Sequence, residues 1–334
     1  MRIFAGHDGS GCAWYRIILP LQELARHGHE VTLVDASQHG AAHDAAISQA
    51  AGHDLVVGQR WDRHEAMGAW RRMRAHSRLV YEVDDDVWAV EPVNWASYTR
   101  YSRADVQDAV SHSAQVANLV TVTTDVLAGV MAEHNPNVAI LPNHIPGWVL
   151  DLPRTERDRP RAGWTGGASH GRDIGVIASP ARRFLGRFPG WDFHLGGVDY
   201  RPTIRHDRVS FTPWAHVVKD PRAYYETVDF DIGLIPLYPT VFSRSKSMIK
   251  ALEMAARGIP VIASDSEPYR DFVLHGVTGF LVKRDHEWLK YMSELAADDG
   301  LRAEMGAKAR EHARAFTIEA GWEKWNAAYS ALAR

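Results

Sequence analysis

Cysteine is almost missing from this chain: Cys12 is the only one in 334 residues. An intramolecular disulfide and a thiolate zinc site are thereby excluded. Long apolar runs are missing as well. No uninterrupted stretch reaches the roughly 18 residues that span a membrane. Met1–Ala5 turns polar at His7-Asp8-Gly9 with no apolar signal core behind it. A cytoplasmic protein is expected. An excess of one charge is also missing. With 38 Lys+Arg against 41 Asp+Glu the net charge is −3, so no overall field draws the chain to nucleic acid or an anionic membrane.

What the chain does have is length and alternation. Its 334 residues exceed what one hydrophobic core usually holds, so two domains are expected. Short apolar strands alternate with helical patterns, the mark of parallel α/β architecture. In the first half, strands are predicted at 2–5, 30–35, 54–58, 79–83, 119–122 and 138–141, with a helix over 14–26 bent at Pro20. Asp151–Pro160 is polar with proline near both ends and reads as a linker. The alternation then restarts, with strands at 161–164, 192–195, 209–211, 231–235, 261–263 and 279–282. Three helical stretches close the chain, the last at 318–333. The expected division is 1–150, 151–315 and a terminal helix 316–334. Ligands of such sheets sit beyond the carboxyl ends of strands, where the notable motifs fall.

The most informative segment is Ser245–Ser264. It reads as a helix opened by polar residues, stopped by Gly258 and Pro260, then a buried strand. A helix start offers free N–H groups and positive partial charge, a dock for a diphosphate, and Lys246 and Lys250 would add charge. Glu253 lies about two turns in, where a carboxylate could accept both hydrogen bonds of a vicinal ribose diol. An ordinary amphipathic helix with a solvated glutamate fits the spacing equally well.

Glu253-(x)4-Gly258-x-Pro260-Val261-Ile262-Ala263-Ser264, with Glu267-Pro268-Tyr269 and Gly276-(x)2-Gly279-Phe280 downstream, resembles the donor-site signature of retaining GT-B glycosyltransferases of the family-four type. The resemblance implies an α/β protein with two Rossmann-like domains facing a cleft. The first would hold the acceptor and the second a nucleoside diphosphate sugar. It implies that Glu253 binds the ribose and that the backbone of Ser247, Met248 and Ile249 binds phosphate. It further implies retention at the anomeric carbon, no metal and no cofactor beyond the donor as co-substrate. There is one departure. The family often places a second glutamate, on the donor sugar, eight residues before the ribose one; here that residue is Ser245.

Other motifs are read beside this frame. Gly166-Gly167 lets a backbone approach a ligand closely, and the basic pair that relatives place near here maps to Arg172, with Lys246 as second charge. Gly9-Ser10-Gly11 resembles the family's phosphate-facing glycine loop or is a plain turn, and Arg16 could reach the cleft from the next helix. Trp214, in Phe211-Thr212-Pro213-Trp214, resembles the base-binding turn, as a stacking indole or as core. Asp84-Asp85-Asp86 suggests a metal site. In a GT-B frame, however, Asp84 or Asp85 would bind sugar hydroxyls, or the cluster would be structural. Pro142-Asn143-His144-Ile145 resembles the turn that ends the first domain. The base, the sugar and the acceptor stay open; glycan, lipid carrier, protein, metabolite and modified DNA are all compatible. Two rivals also stand: a non-catalytic nucleotide- or glycan-binding protein, and a sugar-nucleotide epimerase.

Overall fold

A computed structural model describes residues 1–35 and 50–333. Its first sheet is built from β1 (Arg2–His7), β2 (Glu30–Asp35), β3 (Leu55–Gln59), β4 (Arg78–Glu82), β5 (Leu119–Val122) and β6 (Val138–Ile140). The order is β2-β1-β3-β4-β5-β6, and every pairing is parallel. The second sheet takes β7 (Arg161–Gly166), β8 (Asp192–Gly197), β9 (Val209–Pro213), β10 (Ile232–Ile235), β11 (Val261–Ser264) and β12 (Gly279–Val282). It runs β12-β11-β10-β7-β8-β9, again parallel throughout. The central strands are near-continuous apolar runs because helices cover both faces; all five residues of β3 are buried. The order of each sheet reverses once, between β1 and β3 and between β7 and β10. Such switch points open a crevice beyond the strand ends.

The expected bend at Pro20 lies elsewhere. Trp14–Ile18 is wound as a π-helix, with the N–H of Leu19 reaching back five residues to the Trp14 carbonyl. Pro20 follows two residues later in the helix Leu19–Arg26, which runs on from that turn without a break; the wider turn takes up the N–H that Pro20 lacks and the bulk of its ring. The wider turn swings Trp14 and Tyr15 toward the second domain. The linker is equally specific. Arg154 and Arg157 both pair with the buried Asp229, and Arg157 also meets Asp231 at 3.1 Å. Burial alone would raise the Asp229 carboxyl, but the Arg154 and Arg157 guanidiniums outweigh it and hold it low.

The last helix, Ile318–Leu332, lies against the first domain. Trp322 stacks on His27 at 3.5 Å between ring centroids, and Arg16 sits 4.9 Å over Trp325. The chain crosses over through Ile145, whose carbonyl accepts the N–H of Ile318 at 2.8 Å. The crossing is close at Gly321, where a β-carbon would stand 1.9 Å from Nε2 of His144. Gly321→Ala should therefore cost roughly 1–3 kcal/mol by overpacking, read as a lowered midpoint in thermal unfolding. Unchanged stability would mean that this helix is not seated on the first domain.

Candidate active site

The cleft between the sheets holds a cavity of about 490 Å³ lined by residues of both domains, among them Tyr15, Arg60, Trp214, Lys250 and Glu253. Several bonds close it across the domains. Lys246 Nζ meets Asp85 at 2.6 Å, Asn143 donates to the Ser247 hydroxyl at 2.8 Å, and the Thr124 hydroxyl donates to the Ser245 carbonyl at 3.1 Å.

The helix Ile249–Ala256 carries the central carboxylate. Gly258 at φ +67° ends it, a left-handed position that suits glycine, and β11 follows. Glu253 is 2% exposed. Its Oε1 accepts from the Tyr15 hydroxyl of the first domain and, at 3.0 Å, from the Tyr224 hydroxyl of the second. Both phenols address one oxygen, which leaves Oε2 to a ligand. Burial pushes the Glu253 carboxyl up to about 7, against the pull of Tyr15, Tyr224 and Lys250.

Cations gather around the start of the same helix. Lys250 Nζ contacts His170 Nε2 at 2.9 Å, and His170 Nδ1 contacts Asp173 Oδ2 at 2.5 Å. The Lys250 ammonium can only donate, so His170 accepts its N–H at Nε2 and turns the Nδ1 N–H to Asp173. Burial and the Lys250 charge hold His170 down to about 4. Burial also lowers Lys250 to about 8; Asp173 opposes this and Lys246 adds to it. On the other wall Arg60 donates to Asp84 at 2.7 Å and lies 3.6 Å from Asp85. Arg60 holds φ +48°, a strained conformation for a residue with a side chain. Burial would raise Asp84, yet Arg60 outweighs it and lowers the carboxyl.

Of the residues singled out from sequence, Gly11, Arg16, Asp84, Asp85, Gly167, Trp214, Lys246, Ser247, Ile249 and Glu253 line this cavity. Four do not. Arg172 is held outside by Glu91 at 2.8 Å and stacks 4.3 Å over Tyr238. Gly9 shapes its turn at φ +70°. Gly166 makes room for the Trp164 ring, which a β-carbon would meet at 2.1 Å. Met248 lines a separate hollow beside Thr124 and Phe316. Arg16 touches the cavity, but its guanidinium is spent on Glu82, Asn143 and the Leu141 carbonyl. The acidic run splits three ways: Asp84 to Arg60, Asp85 to Lys246, Asp86 to the N–H groups of Trp88 and Ala89. Among the described residues no group of three His, Cys, Asp or Glu is set to hold a metal ion. Ser245 is buried and donates to the Phe242 carbonyl at 2.9 Å. Lys250, expected to add charge at the helix start, also lines the cavity; the phenols of Tyr15 and Tyr224, Arg60, and the link from Lys250 through His170 to Asp173 were missed. Arg60 did carry a signal, as a charge two residues beyond the apolar strand 54–58.

Two open parallel sheets facing one cavity define a GT-B fold. The sequence profile described as "Glycosyl transferases group 1" matches residues 247–312, the segment that carries Ser247 and Glu253. A D-inositol 3-phosphate glycosyltransferase from Corynebacterium diphtheriae is 35% identical over 124 residues, covering 34% of this chain and 28% of that relative. The match thus spans under a third of the relative's length. Among solved structures, Anabaena Alr3699/HepE in complex with UDP-glucose superposes with a TM-score of 0.70 at 15% identity, over 99% of this chain and 100% of that one. Sucrose-phosphate synthase from Thermosynechococcus elongatus gives 0.68 at 17% identity, over 99% of both chains. At such identities these two speak for the fold alone. No described helix is long and apolar enough to cross a membrane.

Proposed function

We propose that this protein is a glycosyltransferase that moves a sugar from a nucleoside diphosphate sugar to an acceptor hydroxyl, with retention and without a metal ion or further cofactor. The observation that carries it is the placing, at the cleft, of the buried Glu253 carboxylate and Lys250 on one helix with Lys246 in the turn just before it. Glu253 Oε2 receives the ribose diol, and the diphosphate lies at the amides of Ser247 and Ile249 between the two lysines. The acceptor oxygen bonds to the anomeric carbon as the bond from that carbon to the diphosphate oxygen breaks. The acceptor proton leaves with the diphosphate. Lys250 and the helix dipole stabilise the departing charge. Arg60 and Lys246 already neutralise Asp84 and Asp85, the carboxylates a divalent ion would need. Retention rests on family likeness. UDP is the first nucleotide to test, since UDP-glucose is what HepE is described as binding.

The test is a thermal-shift screen of UDP, GDP, ADP and TDP in metal-free buffer. One nucleotide should raise the unfolding midpoint, and the sugar donors of that base should then give transfer in the presence of EDTA. No shift with any of the four removes the donor site. Loss of transfer in EDTA with recovery in manganese returns Asp84–Asp86 to the chemistry. A shift without transfer to any acceptor favours the binding-protein reading, and interconversion of donors without acceptor the epimerase.

A further inference from the structure

A second cavity, of about 360 Å³, lies wholly in the first domain at its topological switch point. His7 and Asp8 come from the end of β1, Gln59 and Arg60 from the end of β3, and Ser97 and Arg100 from the helix Trp95–Tyr101. Open parallel sheets place ligands at such a point. Arg60 lines this cavity and the interdomain one, so the two share a wall.

Gln59 is the telling residue. It is 2% exposed, and its Oε1 accepts the N–H of Asp8 at 3.3 Å. That bond fixes the amide, because the flipped form would set two donors against each other. Its Nε2 then has no partner among the described residues. A buried amide donor left unpaired is costly, and native structures seldom keep one without a reason.

The surrounding charges are largely cancelled. Arg100 grips both oxygens of the buried Asp62, and Arg60 lies between Asp84 and Asp8, 3.5 Å from the latter. Such a wall offers paired acceptors and donors with little net field, while Trp61 and Tyr101 give it apolar surface. That chemistry suits a neutral polyhydroxyl compound better than a phosphate or a hydrocarbon tail.

We propose that this pocket is the acceptor subsite and that it takes a neutral carbohydrate, one of whose hydroxyls reaches past Arg60 into the interdomain cavity while its ring oxygens meet Gln59 and Asp8. The proposal rests on the transferase reading above and adds the class of its acceptor.

The experiment uses the full chain saturated with UDP and observes ligand binding by saturation-transfer NMR. The probes are the methyl glycosides of glucose, galactose, mannose and N-acetylglucosamine, with glycerol 1-phosphate as an anionic comparison. At least one glycoside should bind. Ala96→Trp, at an exposed position on the rim, should weaken it tenfold or more, and Gln59→Leu severalfold. The UDP-induced rise in melting temperature should be unchanged in both variants, which also shows that they fold. Failure of every glycoside to bind, binding that ignores Ala96→Trp, or a preference for glycerol 1-phosphate overturns the assignment. Loss of the UDP response with glycoside binding intact strikes the donor reading instead.

Discussion

Glu253→Ala is expected to abolish stabilisation by the donor nucleotide and to cut transfer at least a hundredfold. Hydrogen bonds to a charged group are worth about 1.5–3 kcal/mol each, and a vicinal diol makes two. The Tyr15 and Tyr224 hydroxyls lose their acceptor in this variant, but they border the cavity and can turn to water, so the fold should survive. Glu253→Gln keeps an acceptor for the phenols while removing the charge, and it separates ligand binding from packing. The pH dependence carries the same signature. Burial raises the Glu253 carboxyl from its ordinary value near 4.5 to about 7. The folded state thus holds this proton more tightly than the unfolded one, and the group removes stability as pH rises through that window. A ligand that needs the carboxylate binds better over the upper part of the same rise. Lys250, lowered to about 8, loses its charge above that value, and diphosphate binding weakens. The affinity for the sugar nucleotide should therefore peak between about 7 and about 8. Glu253→Gln should flatten the acid limb, and Lys250→Met the alkaline one. Titration calorimetry from pH 5.5 to 9.5 (roughly 1.5 units on either side of the two values) reads both limbs. A full nucleotide response in Glu253→Ala would end the ribose assignment.

How legible was this site beforehand? The strands were, because buried parallel strands are short apolar runs bounded by turn residues, and β2, β5 and β12 fall on the expected residues. The helix bearing Glu253 was legible for the same kind of reason. Polar residues open it and Gly258 and Pro260 close it, all local in sequence. Contacts made across the fold were not. Tyr15 and Glu253 lie 238 positions apart, and nothing near Tyr15 announces an acceptor. The acidic run left sugar binding and a structural role open for a related reason. Three adjacent aspartates suggest shared ligation, yet successive residues at a strand end diverge, and each finds its own partner. Arg172 failed through reach. It stands near the expected turn, but Glu91 and Tyr238 hold it on the rim, and Lys250 supplies the charge from another element. Gln59, the donor that singles out the second pocket, is an unremarked polar residue at the end of β3. Only the folded chain reveals that its amide is buried.

Arg16→Met is expected to lower stability by about 3–5 kcal/mol, the usual result of leaving one member of a buried ion pair alone. Arg16 is 1% exposed. It donates to both oxygens of Glu82, at 2.7 and 3.1 Å, and to Asn143 at 3.1 Å. Its guanidinium also lies over Trp325 of the terminal helix. A residue read as a donor-site cation is thus a brace joining β4, the 141–143 turn and the last helix. Burial already raises Glu82 to about 7 despite Arg16 and Thr121. Without Arg16 the carboxyl rises further and escapes charge by protonation. The deficit should therefore be small near pH 5 and grow as pH rises through 7, because the unfolded state alone then releases the proton freely. Glu82→Gln in the same background should recover part of the loss at pH 8, since it removes the orphaned charge. Denaturant unfolding at pH 5 and pH 8 gives both comparisons. The nucleotide response separates the two roles of Arg16. A brace lowers the midpoint and leaves the UDP-induced increment in place, apart from any loosening of Ser247 through Asn143. A variant as stable as wild type that no longer answers to UDP would show that Arg16 faces the donor after all.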